Sequence, residues 1–223
     1  MTTSRYAASR IAELYGVRQQ ISIVPELIDL AGWRARLARY PAVPDGATFT
    51  VFSTCHHYPR KRLEVLLRAA AQLRGRIPGL RVRISGDGPE RGRLRRLWRE
   101  LRLENTVEWL GFISAGKLAE EYNRADVFCL PSVQEGFGIV FLEAMAARKP
   151  IVAVRAAAIP EVVESGVLVE PDNAESLAEG LASLYANPDL RRTLAERGAS
   201  IVERYDAPVV ARRFLAELAR LAP

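Results

Sequence analysis

Two glutamates eight residues apart carry the first chemical signal in this sequence. Glu135 lies in the loop Pro131-Ser132-Val133-Gln134-Glu135-Gly136-Phe137-Gly138, and Glu143 lies on the helix that this loop is expected to open. Free backbone N–H groups at a helix start, with the positive end of its dipole, hold a diphosphate, and Gly136 and Gly138 let the chain approach it closely. A carboxylate beside a diphosphate is repelled unless it accepts hydrogen bonds from hydroxyl groups, which the vicinal diols of a ribose and a hexose supply. The pattern therefore suits a nucleotide sugar, with Glu135 and the Gly136, Phe137 and Gly138 backbone on the sugar and phosphate, and Glu143 on the ribose. The same two carboxylates could be the acid and base of a glycoside hydrolase. That reading is disfavoured, because nothing in the sequence raises the pKa of either one and the glycines and helix start favour a bound anion.

Arg60-Lys61-Arg62 precedes a helical pattern containing Leu63, Leu66 and Leu67. Three cations at a helix start oppose its dipole, so they are either solvated surface or placed there to meet an anion. Gly86-Asp87-Gly88-Pro89-Glu90 follows an apolar run, but the next glycine, Gly92, falls one residue late for a dinucleotide fingerprint. NAD binding is rejected, and a tight turn with Pro89 at the first helical position is expected. His56 and His57 lack a surrounding Cys, Asp or Glu cluster and make a poor metal site. Cys55 and Cys129 give neither a disulfide framework nor a metal spacing, and Cys129 reads as a small buried residue.

The elements that must position these residues alternate along the chain. Apolar runs predict strands at roughly 48–53, 80–85, 106–110, 126–130, 151–154 and 167–169, between helical patterns at 61–74, 90–102, 115–124, 138–147 and 174–186. Two further helices are expected near 189–203 and 207–221. Ahead of the series, Thr3 to Tyr15 reads as a helix ended by Gly16, Ile21 to Val24 as a short strand, and residues 25–47 as mostly connection. The strands are continuously apolar, as when helices cover both faces of a parallel sheet, so an α/β, doubly wound sheet of about six strands is expected. In such a sheet, ligands sit beyond the carboxyl ends of the strands. The informative segments are then Thr54 to Lys61, Gly86 to Glu90, Gly111-Phe112, Pro131 to Gly138, and the loop after Val154.

With 223 residues, 49% hydrophobic and 26% charged, the chain can bury a full α/β core. No uncharged apolar run is long enough for a membrane span, and the first residues carry no secretory pattern, so a cytoplasmic protein is expected. A net charge of +6 favours anionic partners. Much of it lies between Arg91 and Arg102, where Leu94, Leu97, Trp98 and Leu101 form an apolar stripe among arginines. Such a helix is either a solvated basic face or a peripheral contact with the inner membrane face. Nucleic acid is disfavoured, because no aromatic platform is interleaved with the arginines.

Taken together, the Glu135/Glu143 pair, Lys61, Gly86 to Glu90, Tyr122-Asn123-Arg124-Ala125-Asp126-Val127, Lys149-Pro150-Ile151-Val152 and Ile159-Pro160-Glu161-Val162-Val163 resemble, in order and spacing, the retaining glycosyltransferases of the GT-B fold, family 4. The resemblance implies a Rossmann-like, donor-binding half of a two-domain enzyme that moves a hexosyl group from UDP-sugar or GDP-sugar without a metal or other cofactor. It implies a phosphate-binding role for Lys61, with Arg60 as a second leaving-group contact, and a loop around Gly86 and Gly88 bordering the nucleotide. Where the family commonly has an arginine five residues before Lys61, this chain has His56, which could touch phosphate and weaken donor binding at high pH. The loop Ala156-Ala157-Ala158 replaces paired glycines, so positive φ there is expected to be less accessible. Glu161 is expected to start a helix. By the same resemblance, residues 1–24 would be a remnant of an inter-domain crossover and 25–205 the nucleotide-sugar domain. Residues 206–223 would form a helix that packs on an amino-terminal acceptor domain absent from this chain, leaving Val210, Phe214 and Leu218 partly exposed. The expected behaviour is donor binding with little transfer by this chain alone; the alternative is a non-catalytic nucleotide-sugar binding module.

Overall fold

The computed structural model describes residues 1–42 and 46–221. Six strands form one sheet: β1 (Phe49–Thr54), β2 (Leu80–Ser85), β3 (Val107–Gly111), β4 (Val127–Leu130), β5 (Ile151–Val154) and β6 (Val167–Val169). Their order is β3-β2-β1-β4-β5-β6 and every pairing is parallel. The order reverses between β1 and β4, where Val51 and Phe52 pair with Val127 and Phe128, so a crevice opens between the loops that follow these two strands. Strands β4 and β5 are buried along their whole length, which is why they read as unbroken apolar runs.

The helices between the strands are α3 (Leu63–Leu73), α4 (Arg91–Glu100), α5 (Ala115–Arg124), α6 (Ile139–Ala146) and α7 (Ile159–Val162), and α8 (Ala174–Ala186), α9 (Pro188–Ile201) and α10 (Ala207–Leu221) follow the last strand. Side-chain caps set several starts: Ser114 accepts from Lys117 N, Asn173 from Ser176 N, and Asn187 from Leu190 N. Helix α4 buries Leu94 and packs Leu97, Trp98 and Leu101 on the core, leaving Arg91, Arg93, Arg96 and Arg99 exposed. Among the described residues, no helix is long and apolar enough to cross a membrane.

Four expectations are corrected. Ile21 to Val24 is not a strand; only a single bridge joins Thr2 to Ile23, because no neighbouring strand lies beside it. Within residues 25–47, of which 43–45 lie outside the described residues, the chain forms α2 (Leu30–Arg39) rather than connection. Asp29 caps it by accepting from Gly32 N, and Leu30 and Trp33 are buried. Two anchors among arginines are too sparse a stripe to read from sequence. Helix α4 begins at Arg91, so Pro89 precedes it in a turn instead of occupying its first position. Lys61 ends a 3-10 turn, Pro59–Lys61, and Arg62 adopts φ 51 before α3 starts at Leu63, so the cations stand ahead of the helix.

The chain ahead of the sheet is tied to the chain behind it. Ile28 N donates to Tyr205 O, Ala207 N to Ile28 O, and Leu30 N to Asp206 Oδ1. Helix α1 (Arg5–Tyr15) buries no residue fully; the Glu161 carboxylate holds its start by accepting from Arg5 N at 2.9 Å and Tyr6 N at 2.7 Å. Glu161 itself lies in the first turn of α7, as expected. On α10, Phe214 and Leu218 are 42% and 40% exposed, but Val210 is buried at 3%, against expectation, in the first turn, where its N–H donates to the Asp206 carbonyl at the junction with the chain ahead of the sheet. Residues 222 and 223, at the end of the span expected to be helical, lie outside the described residues.

Candidate active site

The loops after β1 and β4 face each other across the strand-order reversal, and one ion pair spans them. Lys61 Nζ lies 2.5 Å from Glu135 Oε1, with side chains 12% and 11% exposed. The same loops are stitched by main chain, since the Arg60 carbonyl accepts from Val133 N at 2.9 Å and from Ser132 Oγ at 3.2 Å. The Arg60 guanidinium lies 4.9 Å from the ring centroid of Tyr58 and stays at the exposed rim.

Helix α6 starts at Gly138, which adopts φ 98 and supplies no side-chain cap. A side chain at Gly138 would be strained by that φ and would meet the Phe141 ring at 2.7 Å. Lys61, Glu135, the Gly136–Gly138 backbone and the first residues of α6 line a cavity of about 330 Å³. A cation, two carboxylates (Glu26 and Glu135) and an uncapped helix start therefore share one hollow, an arrangement that fits an anion only where it also carries hydroxyl groups for the carboxylates. Two details differ from the sequence reading. A Cβ at Gly136 would meet open space, so close approach requires glycine at Gly138 alone. The Phe137 side chain is buried against Tyr205, with ring centroids 5.5 Å apart, so that residue anchors the loop to the core and only its backbone borders the cavity.

Val140 also lines a second hollow of about 270 Å³, together with Cys55, His56, Gly86, Phe112 and Glu143 among others. Behind Glu143 lies Tyr122, which is buried completely within a cluster of Trp33, Phe52 and Phe128. The Tyr122 hydroxyl lies 3.0 Å from Glu143 Oε2 and 3.1 Å from the Val140 carbonyl oxygen, and Trp33 Nε1 donates to the Glu143 carbonyl at 3.1 Å. Burial raises the Glu143 carboxyl above its ordinary pKa, while the Tyr122 hydroxyl and the Arg36 charge oppose that rise. The expectation that neither carboxylate has a raised pKa is thus wrong for Glu143, because the burial comes from tertiary packing that the sequence does not display. Burial likewise lifts the Cys55 thiol to about 12, against the pull of Lys61, which leaves it an unreactive wall residue.

Gly86 and Gly88 are required by a neighbour. A Cβ on Gly86, at φ 107, would sit 1.9 Å from the Cys55 carbonyl oxygen, and one on Gly88 would sit 2.8 Å from His57 N. His57 N donates to Asp87 O and Glu90 N donates to His57 O, so the two loops are laced together. His57 itself is buried with its ring edge-on to Trp109, and burial lowers its pKa. His56 is exposed at the mouth of the second cavity, its ring centroid 5.9 Å from Phe112.

Other motifs hold the scaffold. Asn123 Nδ2 donates to Leu37 O and Tyr40 O at the end of α2, and Asp126 Oδ2 accepts from Thr50 N. The neighbouring Glu121 is buried and accepts two hydrogen bonds from Arg83, which pins α5 and so Tyr122. Lys149 donates to the Asn123 carbonyl, with its pKa lowered by burial. Ala157 adopts φ 49 despite its Cβ, contrary to expectation. The loop around it is fixed by Ala158 N donating to Glu135 O at 3.3 Å and Ile159 N to Ala156 O at 3.1 Å, and these bonds hold the strained residue in place. Sequence reasoning placed Glu135, Lys61, Cys55, Gly86 and His56 in loops at one sheet edge and Glu143 on the helix that follows, as they lie; it gave Tyr122, Trp33 and Cys55 no role in the site.

The family profile of glycosyl transferases group 1 matches residues 43–200. A colanic acid biosynthesis glycosyltransferase of Escherichia coli, named as putative WcaL, is 32% identical over 221 residues, covering 95% of this chain and 53% of that protein. A GDP-mannose-dependent alpha-(1-6)-phosphatidylinositol monomannoside mannosyltransferase of Mycolicibacterium smegmatis is 30% identical over 201 residues, covering 83% of this chain and 52% of that protein. The chain thus spans about half the length of these curated relatives. Among solved structures, a sucrose-phosphate synthase from Thermosynechococcus elongatus superposes with a TM-score of 0.83 at 28% identity, covering 99% of this chain and 57% of that one.

Proposed function

The chain belongs to the group 1 glycosyl transferases, and from that premise we propose that it is the donor-binding, Rossmann-like half of a retaining, family 4 glycosyltransferase. One observation carries the reading: Lys61, Glu135 and the uncapped start of α6 share a hollow, and Val140 on its wall also lines the neighbouring hollow that holds Glu143. The chemistry of these adjacent hollows fits a nucleoside diphosphate bearing a hexose. The diphosphate lies against Lys61 and the first N–H groups of α6, with Arg60 at the rim. The hexose hydroxyls donate to Glu135, and the ribose diol donates to Glu143, whose carboxylate is held in place by Tyr122. The nucleoside occupies the wall formed by Cys55, His56, Gly86 and Phe112.

In transfer, the bond between the anomeric carbon and the diphosphate oxygen breaks as the acceptor hydroxyl attacks from the same face and passes its proton to the departing diphosphate oxygen. Lys61 and the α6 N–H groups stabilise the charge that builds on the departing diphosphate, and they do so without a metal ion. The acceptor lies across the cleft on a second domain, as in a two-domain enzyme of about twice this length. The mannosyltransferase relative, which is GDP-mannose-dependent, supports a nucleotide-sugar donor.

The test is calorimetric titration with UDP, GDP and ADP and their hexose forms, without and with added divalent metal, for the wild type and Glu143→Ala. One nucleotide series is expected to bind without metal, weakened about tenfold or more by the substitution. Equal binding by the variant, or a strict metal requirement, would overturn the assignment, as would efficient sugar transfer by this chain alone for the half-cleft reading.

A further inference from the structure

The cation best placed to hold a diphosphate is already engaged. Lys61 Nζ and Glu135 Oε1 are 2.5 Å apart, both side chains are nearly buried, and both line the hollow at the start of α6. A carboxylate at that distance neutralises the ammonium, so any second anion must share or displace it. The backbones of the pair are fixed: Lys61 N donates to Tyr58 O at 3.0 Å, and Glu135 O accepts from Ala158 N at 3.3 Å. The exchange of partners is therefore made by the two side chains and leaves the loops where they are.

We infer that Glu135 is a built-in competitor of the diphosphate for Lys61, and that this competition selects the sugar-bearing donor over the bare nucleoside diphosphate. The inference rests on the donor reading given above. A hexose brings hydroxyl groups that donate to the Glu135 carboxylate, so the sugar replaces the ammonium as its partner while Lys61 turns to the phosphates. A nucleoside diphosphate, whose ribose diol is taken by Glu143, brings no hydroxyl donor to Glu135. Drawing Lys61 away then leaves a nearly buried carboxylate without a partner and close to a second anion, which is unfavourable on both counts. The asymmetry also operates after transfer: once the hexose has left, Glu135 takes Lys61 back and the product's hold on the site weakens. Glu135 thus sets specificity between donor and product in addition to contacting the sugar.

The substitution that isolates this role is Glu135→Gln, which keeps the shape and an acceptor oxygen but removes the competing charge. Calorimetry with UDP, UDP-glucose, GDP and GDP-mannose would be run on wild type, Glu135→Gln, and Glu135→Gln combined with Lys61→Met, with thermal melts showing that each variant folds. The expected result is that Glu135→Gln binds the nucleoside diphosphate about tenfold more tightly than wild type, while its affinity for the hexose form does not rise in parallel. The gain is expected to vanish in the double variant. Binding of the diphosphate by wild type that is weakened or unchanged in Glu135→Gln would overturn the competition and leave the donor reading standing. No binding of any probe by any variant would overturn both.

Discussion

Replacing Tyr122 by phenylalanine removes one oxygen from a fully buried ring and tests whether that hydroxyl supports the Glu143 carboxylate. The hydroxyl lies 3.0 Å from Glu143 Oε2 and 3.1 Å from Val140 O, and the ring is packed among Trp33, Phe52 and Phe128, so the shape of the core is unchanged by the substitution. A hydrogen bond to a charged group contributes about 1.5–3 kcal/mol, so a loss of about 2 kcal/mol is expected where Glu143 is ionised. For a chain of this size that corresponds to a fall of about 4–8 °C in Tm. The pH dependence follows from the raised carboxyl. Burial, the largest cause, lifts Glu143 above its unfolded value, so the folded state binds a proton first and stability declines as pH rises from about 4.3 through the folded pKa. The Tyr122 hydroxyl opposes that rise, so its removal lifts the folded pKa further and steepens the decline. The deficit of Tyr122→Phe relative to wild type should therefore be larger at pH 8 than at pH 5, shrinking as falling pH protonates the carboxyl toward the about 0.5–1 kcal/mol of an ordinary hydrogen bond. Urea unfolding of both proteins at the two pH values measures it. A deficit that is the same at pH 5 and pH 8, or below about 0.5 kcal/mol at both, would refute the argument.

Two further substitutions probe the loops. Ala157→Gly relieves a left-handed alanine at φ 49 and is expected to raise stability by about 0.5–1 kcal/mol in urea unfolding, after the added flexibility of the unfolded chain is set against the strain removed. Gly86→Ala would place a Cβ 1.9 Å from the Cys55 carbonyl oxygen at φ 107, so a loss of about 3 kcal/mol or more is expected. On the proposed donor reading, the same Gly86→Ala variant should lose nucleotide affinity in calorimetry, because Cys55, whose carbonyl it pushes, and His56 line the cavity proposed for the nucleoside.

How much of this was legible before the structure depends on the range of the interaction involved. The six strands and the helices that cover them follow from apolar periodicity and match to within a residue or two, since burial on both faces leaves a mark on every position of β4 and β5. Helix α2 escaped because its burial rests on Leu30 and Trp33 alone. The motif around Tyr122 was visible as a pattern, yet its division of labour was not. Asn123 secures α2, Asp126 secures β1, Glu121 binds Arg83, and only Tyr122 reaches the site. Ala157 was misjudged because a local preference against positive φ is worth only about 1–2 kcal/mol, and the hydrogen bonds of the surrounding loop exceed it.

The sequence by itself determined the alternation of strands and helices, and hence that Lys61, Gly86, Glu135 and Glu143 would meet at the carboxyl edge of one parallel sheet, because a βα repeat of apolar runs has few other ways to bury itself. It also determined that a carboxylate pair, a cation and a glycine-started helix would stand together. Only the tertiary structure decided their pairing and their charge state. It placed Lys61 against Glu135 instead of leaving it in solvent, and it buried Glu143 over the Tyr122 hydroxyl. The reason is physical: a side chain's type and position in a strand or loop are local properties of the chain. Its partner and its dielectric surroundings depend on residues tens of positions away, and those are brought within 3 Å only when the sheet closes.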